Sequence, residues 1–383
     1  MPKKLDIRAK ILALMDEMND NIVERRAEIE GLVLATLSRN HIYLLGQAGV
    51  GKGYLIDTFV GQIKGASLFD ILMSKDTIRD DVFGPMMLSE LARDNYKQKV
   101  EGYLPTAQFA FLDEIFKCNS VILNRMLKVL NERKYLNGDE MLDVPLISMF
   151  CASNELPEDL EEGDANLMAL YDRIVLRYIV AEIEDSDNYL HVMKKEAKPV
   201  TTVITLNEIE MAQKEVQAVE VPDTVLLALW DIKRRLKSVG CYISVRKLVW
   251  IQNIIKASAW LSGRTEADVS DLLVVKHCLW DTPDQIKDVK NVVTEVADPL
   301  LKEAEDIKDA VWEVRNEIDG IENAAEKAKA CKSNLDKVSR QWRKLQEMER
   351  NFTKQGKDTA ALNEIIAEVM SVRNYIKELY VRL

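Results

Sequence analysis

The sequence predicts an α/β protein. A parallel sheet carries a phosphate-binding loop, an all-helical segment follows, and a helical hairpin or three-helix module ends the chain. Three observations carry this. The run Gly46-Gln47-Ala48-Gly49-Val50-Gly51-Lys52-Gly53 sits between an apolar stretch, His41 to Leu45, and a helical one, Tyr54 to Val60. A second apolar stretch, Phe109 to Leu112, ends in Asp113-Glu114. From about Glu182 onward, strand-like runs give way to helical periodicity.

Taken in order, Leu5 to Arg39 reads as two helices, with apolar residues at helical spacing in Ile11 to Met15 and in Ile29 to Leu37. Four runs read as strands: Ile42 to Leu45, Ala66 to Leu72, Phe109 to Leu112 and Leu146 to Ala152. Helical stretches lie between them, notably Ser120 to Glu132, and that alternation implies a parallel sheet. The region from Glu182 to about Trp280 reads as wholly helical. Its amphipathic runs are Asp223 to Leu236, Ser244 to Leu261 and Glu266 to Leu279, with Ser244 and Thr265 as N-caps. Beyond it, apolar residues at alternating four and three spacing run through Leu300, Ala304, Ile307, Val311, Val314, Ile318, Ile321, Ala325 and Ala328. They resume at Leu335, Val338, Trp342 and Leu345. A break over Thr353 to Thr359 precedes a last helix, Ala360 to Leu383. The expected domains are 1–185, 186–280 and 281–383.

Strand, glycine loop, lysine, helix is the context that holds a nucleoside triphosphate. The glycines let backbone N–H groups close on phosphate oxygens, the helix N-terminus adds its positive end, and Lys52 adds a point charge. The binding stretch expected from this runs from Gly46 to Tyr54. Its last two positions depart from the usual pattern: Gly53 stands where a Ser or Thr hydroxyl would reach Mg2+, and Tyr54 is no substitute. The carboxylates after Phe109–Leu112 emerge at a strand's C-terminal end, where ligands of open α/β sheets bind. This is Walker B chemistry, with Asp113 for Mg2+ and Glu114 to polarise the attacking water.

Composition narrows the alternatives. The chain has 383 residues, 47% hydrophobic and 30% charged, with a net charge of −11 and a pI of about 5.1. That acidity argues against a broad nucleic-acid footprint. No apolar run reaches bilayer-spanning length, and Met1 to Leu5 lacks the apolar core of a signal peptide, so a cytoplasmic protein without membrane insertion is expected. Five dispersed cysteines and three dispersed histidines give no metal-ligand spacing and little support for a Ser-His-Asp hydrolase.

With the loop and acidic pair placed, further motifs become legible. Leu112 to Lys117 is followed by Ile122 to Arg133, then by Ala152-Ser153-Asn154-Glu155-Leu156-Pro157 and Leu170-Tyr171-Asp172-Arg173. Ser244-Val245-Arg246-Lys247, Lys256 to Arg264 and Leu279-Trp280 come later. This series resembles the MoxR family of AAA+ ATPases, and within it most the RavA (regulatory ATPase variant) branch. The likeness is strong from about Ile29 to Trp280 and weaker beyond.

The resemblance implies ATP and Mg2+ as ligands and a role for each matched position. Asn154 is implied as sensor 1, between nucleotide and acidic pair. Arg246 is implied as sensor 2, reaching from the lid to the γ-phosphate. Arg173 is implied as an arginine finger entering a neighbour's site, with Arg177 as runner-up. Val82 to Tyr103 falls where this family inserts an extra helical feature, facing a ring pore or a partner. The RavA branch carries a small β-rich insertion in its helical C-terminal region, which this sequence lacks, so that branch's decarboxylase partner is not carried over.

These features imply an ATP-hydrolysing, homo-hexameric ring that remodels a partner protein, with a von Willebrand factor A (VWA) domain protein as adaptor. The alternative is a nucleotide-gated scaffold that hydrolyses poorly because of Gly53. A DNA-dependent motor is disfavoured by the acidity.

Overall fold

The structure, a computed structural model, describes residues 6–156, 165–194, 199–354 and 359–382. They fall into two compact units, Met1–Val289 and Lys290–Leu383. The first opens with α1 (Ile7–Asn21), whose first turn is capped by Asp6, and α2 (Arg26–Ser38), buried along most of its length. Next come β1 (Ile42–Leu45), α3 (Lys52–Gly61), a two-residue β2 (Ile63–Lys64) and β3 (Leu68–Leu72). The connection onward holds α4 (Arg79–Phe83) and α5 (Leu88–Leu91) before β4 (Phe109–Asp113). Then follow α6 (Ser120–Glu132), β5 (Lys134–Asn137), β6 (Glu140–Asp143), β7 (Ser148–Ser153), α7 (Ala165–Arg173) and β8 (Leu176–Ile179).

Five strands form one sheet in the order β3-β4-β7-β1-β8, every pair parallel. Parallel strands covered by helices on both faces must be apolar throughout. β1 and β7 are buried at every position, and β4 at all but Asp113. The expected α/β core is therefore present, and all four forecast strands match within two residues at each end. Ala66 to Leu72 starts later, at Leu68.

Two elements were not anticipated. The hairpin β5–β6 has only four positions a strand, two adjacent apolar residues between polar ends in each, and it turns at Gly138 with φ 61°. Strand β8 reads poorly as a strand because of Arg177, which is nonetheless fully buried. Its guanidinium donates to the carbonyls of Tyr171 (2.8 Å), Ile174 (3.2 Å) and Trp280, pairs with Asp281, and lies 3.8 Å over the Tyr171 ring. Lys247 reaches the same Asp281 oxygen at 3.3 Å. Burial, and then the neighbouring Arg177, pull the Lys247 ammonium down to about 8 against the opposing pull of Asp281. This cluster ties β8, the backbone around Lys247 and the 280–281 turn together, so the buried Arg177 cannot serve as a finger reaching a neighbour.

The region expected to be wholly helical is less uniform. It contains α8 (Ser186–Lys194), α9 (Leu206–Gln217), α10 (Asp223–Ser238) and α11 (Val245–Leu261), but also β9 (Ile204–Thr205), which pairs with β2. Ser244 caps α11 as expected, accepting from Lys247 N–H. Glu266 to Leu279 is not an α-helix. It forms tight 3-10 turns over Val269–His277, capped by Asp268 rather than Thr265. The reason is local: Arg264 grips the buried Asp271 through two hydrogen bonds of 2.6 and 2.7 Å, and Asp271 also accepts from Asp268 N–H. Side-chain bonds to nearby backbone compete with a regular helix.

After α12 (Ile286–Ala297), the second unit is built from α13 (Pro299–Asp319), α14 (Ala324–Lys354) and α15 (Ala360–Arg382), each touching the other two. The apolar seam read through Ile318, Ile321 and Ala325 turns at Gly320, which caps α13, and the expected hairpin or three-helix module takes its three-helix form. Of the anticipated break over Thr353 to Thr359, residues 355–358 lie outside the described residues, as do residues 1–5, 157–164, 195–198 and Leu383.

Two consequences are measurable. Arg177→Ala would leave Asp281 to Lys247 alone and open a hole against Tyr171; it should cost about 2–5 kcal/mol, read as a lower urea midpoint. His41 is 5% exposed, its Nδ1 accepts from Met149 N–H at 3.1 Å, and burial followed by Arg133 holds its pKa well below 6.5. The unfolded chain would protonate this group near 6.5 while the native chain stays neutral. Stability should therefore fall as pH drops below ~6.5, by up to about 1.4 kcal/mol per pH unit and group. Thermal midpoints at several pH values check this, and His41→Gln should flatten part of the slope.

Candidate functional site

The glycine loop leaves β1 at its C-terminal end and turns into α3. Gly49 and Gly51 hold φ of 89° and 90°, and the space beside each α-carbon is open. Such backbone is natural only for glycine, and an open hollow at a helix N-terminus suits phosphate oxygens. Gly46 has a different constraint: a Cβ there would lie 2.4 Å from the Val180 carbonyl oxygen. Lys52 opens α3 and is 7% exposed, its ammonium donating to the carbonyls of Gly46 and Gln47, the latter at 3.0 Å. Burial lowers its pKa, while Asp113 and Glu114 pull it back up. A buried ammonium beside the glycine loop fits the binding of an anion there.

Gly53 lies inside α3 with ordinary φ, and a Cβ there would meet only the Phe111 ring at 3.6 Å. Neither backbone nor space imposes glycine. Tyr54 is 58% exposed. Ala48 and Val50 complete the loop turn, and Arg25 holds it from outside. That guanidinium, 6% exposed, donates to Val50 O at 3.3 Å, Glu24 O at 2.7 Å and Ala181 O. It thereby ties the loop to the turn before α2 and the exit of β8. A single arginine in a turn carries no periodic signal, and sequence reasoning missed it.

The acidic pair and Asn154 lie on the same edge. In the sheet β7 separates β1 from β4, with Leu45 level with Ser153 and Leu112 level with Cys151. Gly46, Asn154 and Glu114 thus leave three consecutive strands at nearly one height. Gly46 N–H donates to Ser153 O at 3.1 Å, and Asn154 is exposed just beyond. Glu114 takes a left-handed backbone, φ 53°, which starts a tight turn and redirects the chain. Its N–H donates to Asp113 Oδ1 at 3.0 Å. Glu114 Oε2 is buried with no hydrogen bond; the Lys117 ammonium is 3.2 Å away but outside bonding direction. A buried carboxylate oxygen with an unfilled position fits a water or a hydrated cation, so the residues present suit Mg2+ chemistry.

Arg173 and Arg246 are not with them. Both line a cavity of about 450 Å3 at the opposite, N-terminal edge of the strands, together with Arg39, Arg133, Asn131 and Trp250. Four residues of β1 separate the two edges, about 13 Å at strand rise. Arg246, in the first turn of α11, pairs with Asp172 and lies 5.3 Å from the Trp250 ring centre. Arg173 Nε donates to Asn131 Oδ1 at 2.9 Å. Partial burial, then Arg246, lower the Arg173 pKa against Asp172. Arg246 therefore does not reach the loop of its own chain.

Residues 9–220 match the family model described as the MoxR domain of MoxR-vWA-beta-propeller ternary systems, and residues 224–293 match an AAA lid domain. An uncharacterised protein of Methanocaldococcus jannaschii is 35% identical over 97% of this chain and 98% of its own length. Chaperone MoxR1 of Mycobacterium tuberculosis is 24% identical over 34% of this chain and 33% of its own. The crystal structure of a candidate ATPase from Cytophaga hutchinsonii superposes with a TM-score of 0.60 at 18% identity, covering 76% of this chain and 94% of the other.

Gly46 and Gly53 should respond oppositely to a side chain. Gly46→Ala must displace the Val180 carbonyl and should lose about 1–3 kcal/mol of stability. Gly53→Ser should fold normally and gain up to about 0.5 kcal/mol from helix propensity. Thermal denaturation of both variants distinguishes the two environments.

Proposed function

This chain belongs to the MoxR family of AAA+ ATPases, and from that premise we propose that it hydrolyses ATP in a ring of identical subunits to remodel a partner protein. The observation that carries the reading is the division of the site between the two edges of one sheet. The glycine loop, Asp113, Glu114 and Asn154 share one edge, and Arg173 and Arg246 share the other.

In this reading Gly46 to Tyr54 wraps the triphosphate, with Lys52 as the point charge on its outer phosphates. Asp113 would hold Mg2+, which supplies charge neutralisation on the phosphates. Glu114 accepts a proton from the attacking water, and Asn154 orients that water between loop and carboxylates. Arg173 and Arg246 act on a neighbour's nucleotide. An arginine spreads its charge over a planar fork, which suits the equatorial oxygens of the transferring phosphoryl group. A hexamer is the expected closed ring. A VWA-domain protein is the proposed adaptor, because the matching family is described by MoxR-vWA systems.

Gly53 favours a second reading, a nucleotide-gated scaffold with weak turnover, since no hydroxyl follows Lys52. Because the position tolerates a Cβ, Gly53→Ser decides between them. A rise in kcat of about tenfold, ~1.4 kcal/mol of barrier, marks the parent as a weakened hydrolase. No change with robust parental turnover means Asp113 suffices for the metal.

Lys52→Ala should abolish tight ATP binding. Glu114→Gln should keep binding and lower kcat by about 10²-fold or more. Arg173→Ala should bind ATP normally and not turn it over. Mixed with Lys52→Ala, it should regain partial activity, since some interfaces pair an intact loop with an intact finger. Full activity of a strictly monomeric protein would refute the shared site.

A further inference from the structure

A second cavity, of about 550 Å3, lies away from both sets of residues above. One wall comes from the connection before β4, the other from hairpin β5–β6, and the exposed face of α6 is its floor. Arg79, Arg125, Lys128 and Lys134 line it, and among the described residues no carboxylate does. The carboxylates around it are already engaged: Asp80 lies 3.5 Å from Arg79, Glu140 3.1 Å from Lys97, and Asp143 3.2 Å from Lys134. Among the described residues, Arg125 and Lys128 have no ion-pair partner.

The walls are preformed. Gln98, 5% exposed, binds both: its side-chain amide donates to Gly84 O, and its Oε1 accepts from the Tyr135 hydroxyl. Its backbone N–H and C=O are both taken by the Asn137 side chain, at 2.7 and 3.0 Å. Two large apolar side chains that line this fixed, positive hollow are exposed, Tyr96 at 68% and Leu136 at 51%. Exposed apolar side chains in a cavity with convergent charged groups mark an interaction site.

We propose that this cavity binds a short acidic segment of a partner polypeptide. Its carboxylates would lie against Arg125 and Lys128, and a neighbouring apolar side chain would pack on Tyr96 and Leu136. The surroundings favour a peptide over a nucleic acid. A phosphate backbone needs a continuous cationic track, and here Asp80, Glu140 and Asp143 flank the hollow and would repel a continuing polyanion. As the place where the ring grips its client, the site rests on the remodelling reading. As a binding site it does not, because it lies apart from the nucleotide loop.

The test uses the full chain without nucleotide and a short fluorescein-labelled peptide of Glu and Leu, read by anisotropy. A Gln-for-Glu twin and a single-stranded oligothymidylate are the competitors. The acidic peptide should bind, weaken with salt, and bind about tenfold more tightly than its twin, ~1.4 kcal/mol. Arg125→Gln with Lys128→Gln should lose that margin, whereas Arg125→Lys with Lys128→Arg should keep most of it. Tyr96→Ala, at an exposed ring, should weaken binding several-fold with an unchanged thermal midpoint. Lys52→Ala should bind the peptide like the parent, so a failure of the hydrolysis reading would leave this result standing. No binding of the acidic peptide, equal binding of the twin, indifference to the Arg125 and Lys128 changes, or tighter binding of oligothymidylate overturns the proposal.

Discussion

The hydrogen-bonded register of β1 between β7 and β8 is the constraint on which the rest depends. Gly46 N–H reaches Ser153 O, and Val180 N–H reaches Leu45 O at 2.7 Å, so the loop's first residue is clamped from both sides. That clamp explains why Gly46 has no room for a side chain, and it sets the height at which Asn154 and Glu114 emerge. Buried parallel strands are strongly specified in register, because a one-residue slip would turn every side chain to the other face. The catalytic geometry proposed here is therefore inherited from the core rather than built by the loops.

The opposite edge is organised by charge rather than by register. Arg177 is wholly buried and shares Asp281 with Lys247, two cations on one carboxylate. Such an arrangement is expensive to desolvate and is stable only because carbonyls of Tyr171, Ile174 and Trp280 absorb the remaining donors. Its effect is to fix the end of α7 against the first turn of α11. Asp172 and Arg173 precede this anchor by a few residues, and Arg246 is the residue beside Lys247. The two exposed arginines are thus held by a buried one, which limits how far either can move.

What was legible in the sequence follows from the same division. β1, β4 and β7 are apolar runs buried on both faces, and α6 has a clean helical period, so these were read nearly to the residue. The P-loop residues and the acidic pair were legible because their chemistry needs a fixed spacing. Arg25, His41 and Arg133 were not, since each acts through contacts to residues distant in the sequence that leave no local pattern. β8 was hidden by one charged residue whose partner lies a hundred positions away. The 3-10 turns over Val269–His277 were hidden by apolar residues that fit a helix equally well, while a local Arg264–Asp271 pair decided otherwise. The distinction between Arg173 and Arg177 was a matter of burial, which two arginines four residues apart cannot reveal.

A site divided between two edges has an energetic consequence. An arginine finger contributes about 10³–10⁵ in rate, roughly 4–7 kcal/mol of barrier. If Arg173 acts only on a neighbour, a lone subunit can bind nucleotide through Lys52 and the loop yet lacks that stabilisation. Hydrolysis then reports assembly, and the order is fixed: nucleotide in the loop first, neighbour second, turnover last. The same separation gives Gly53 a rationale within the hydrolase reading. If Gly53 weakens metal affinity at the loop, less of the transition-state stabilisation would come from the subunit itself and more from its neighbour. Uncoupled turnover by unassembled chains would fall with it, while turnover within the ring would be limited by how often the two edges meet.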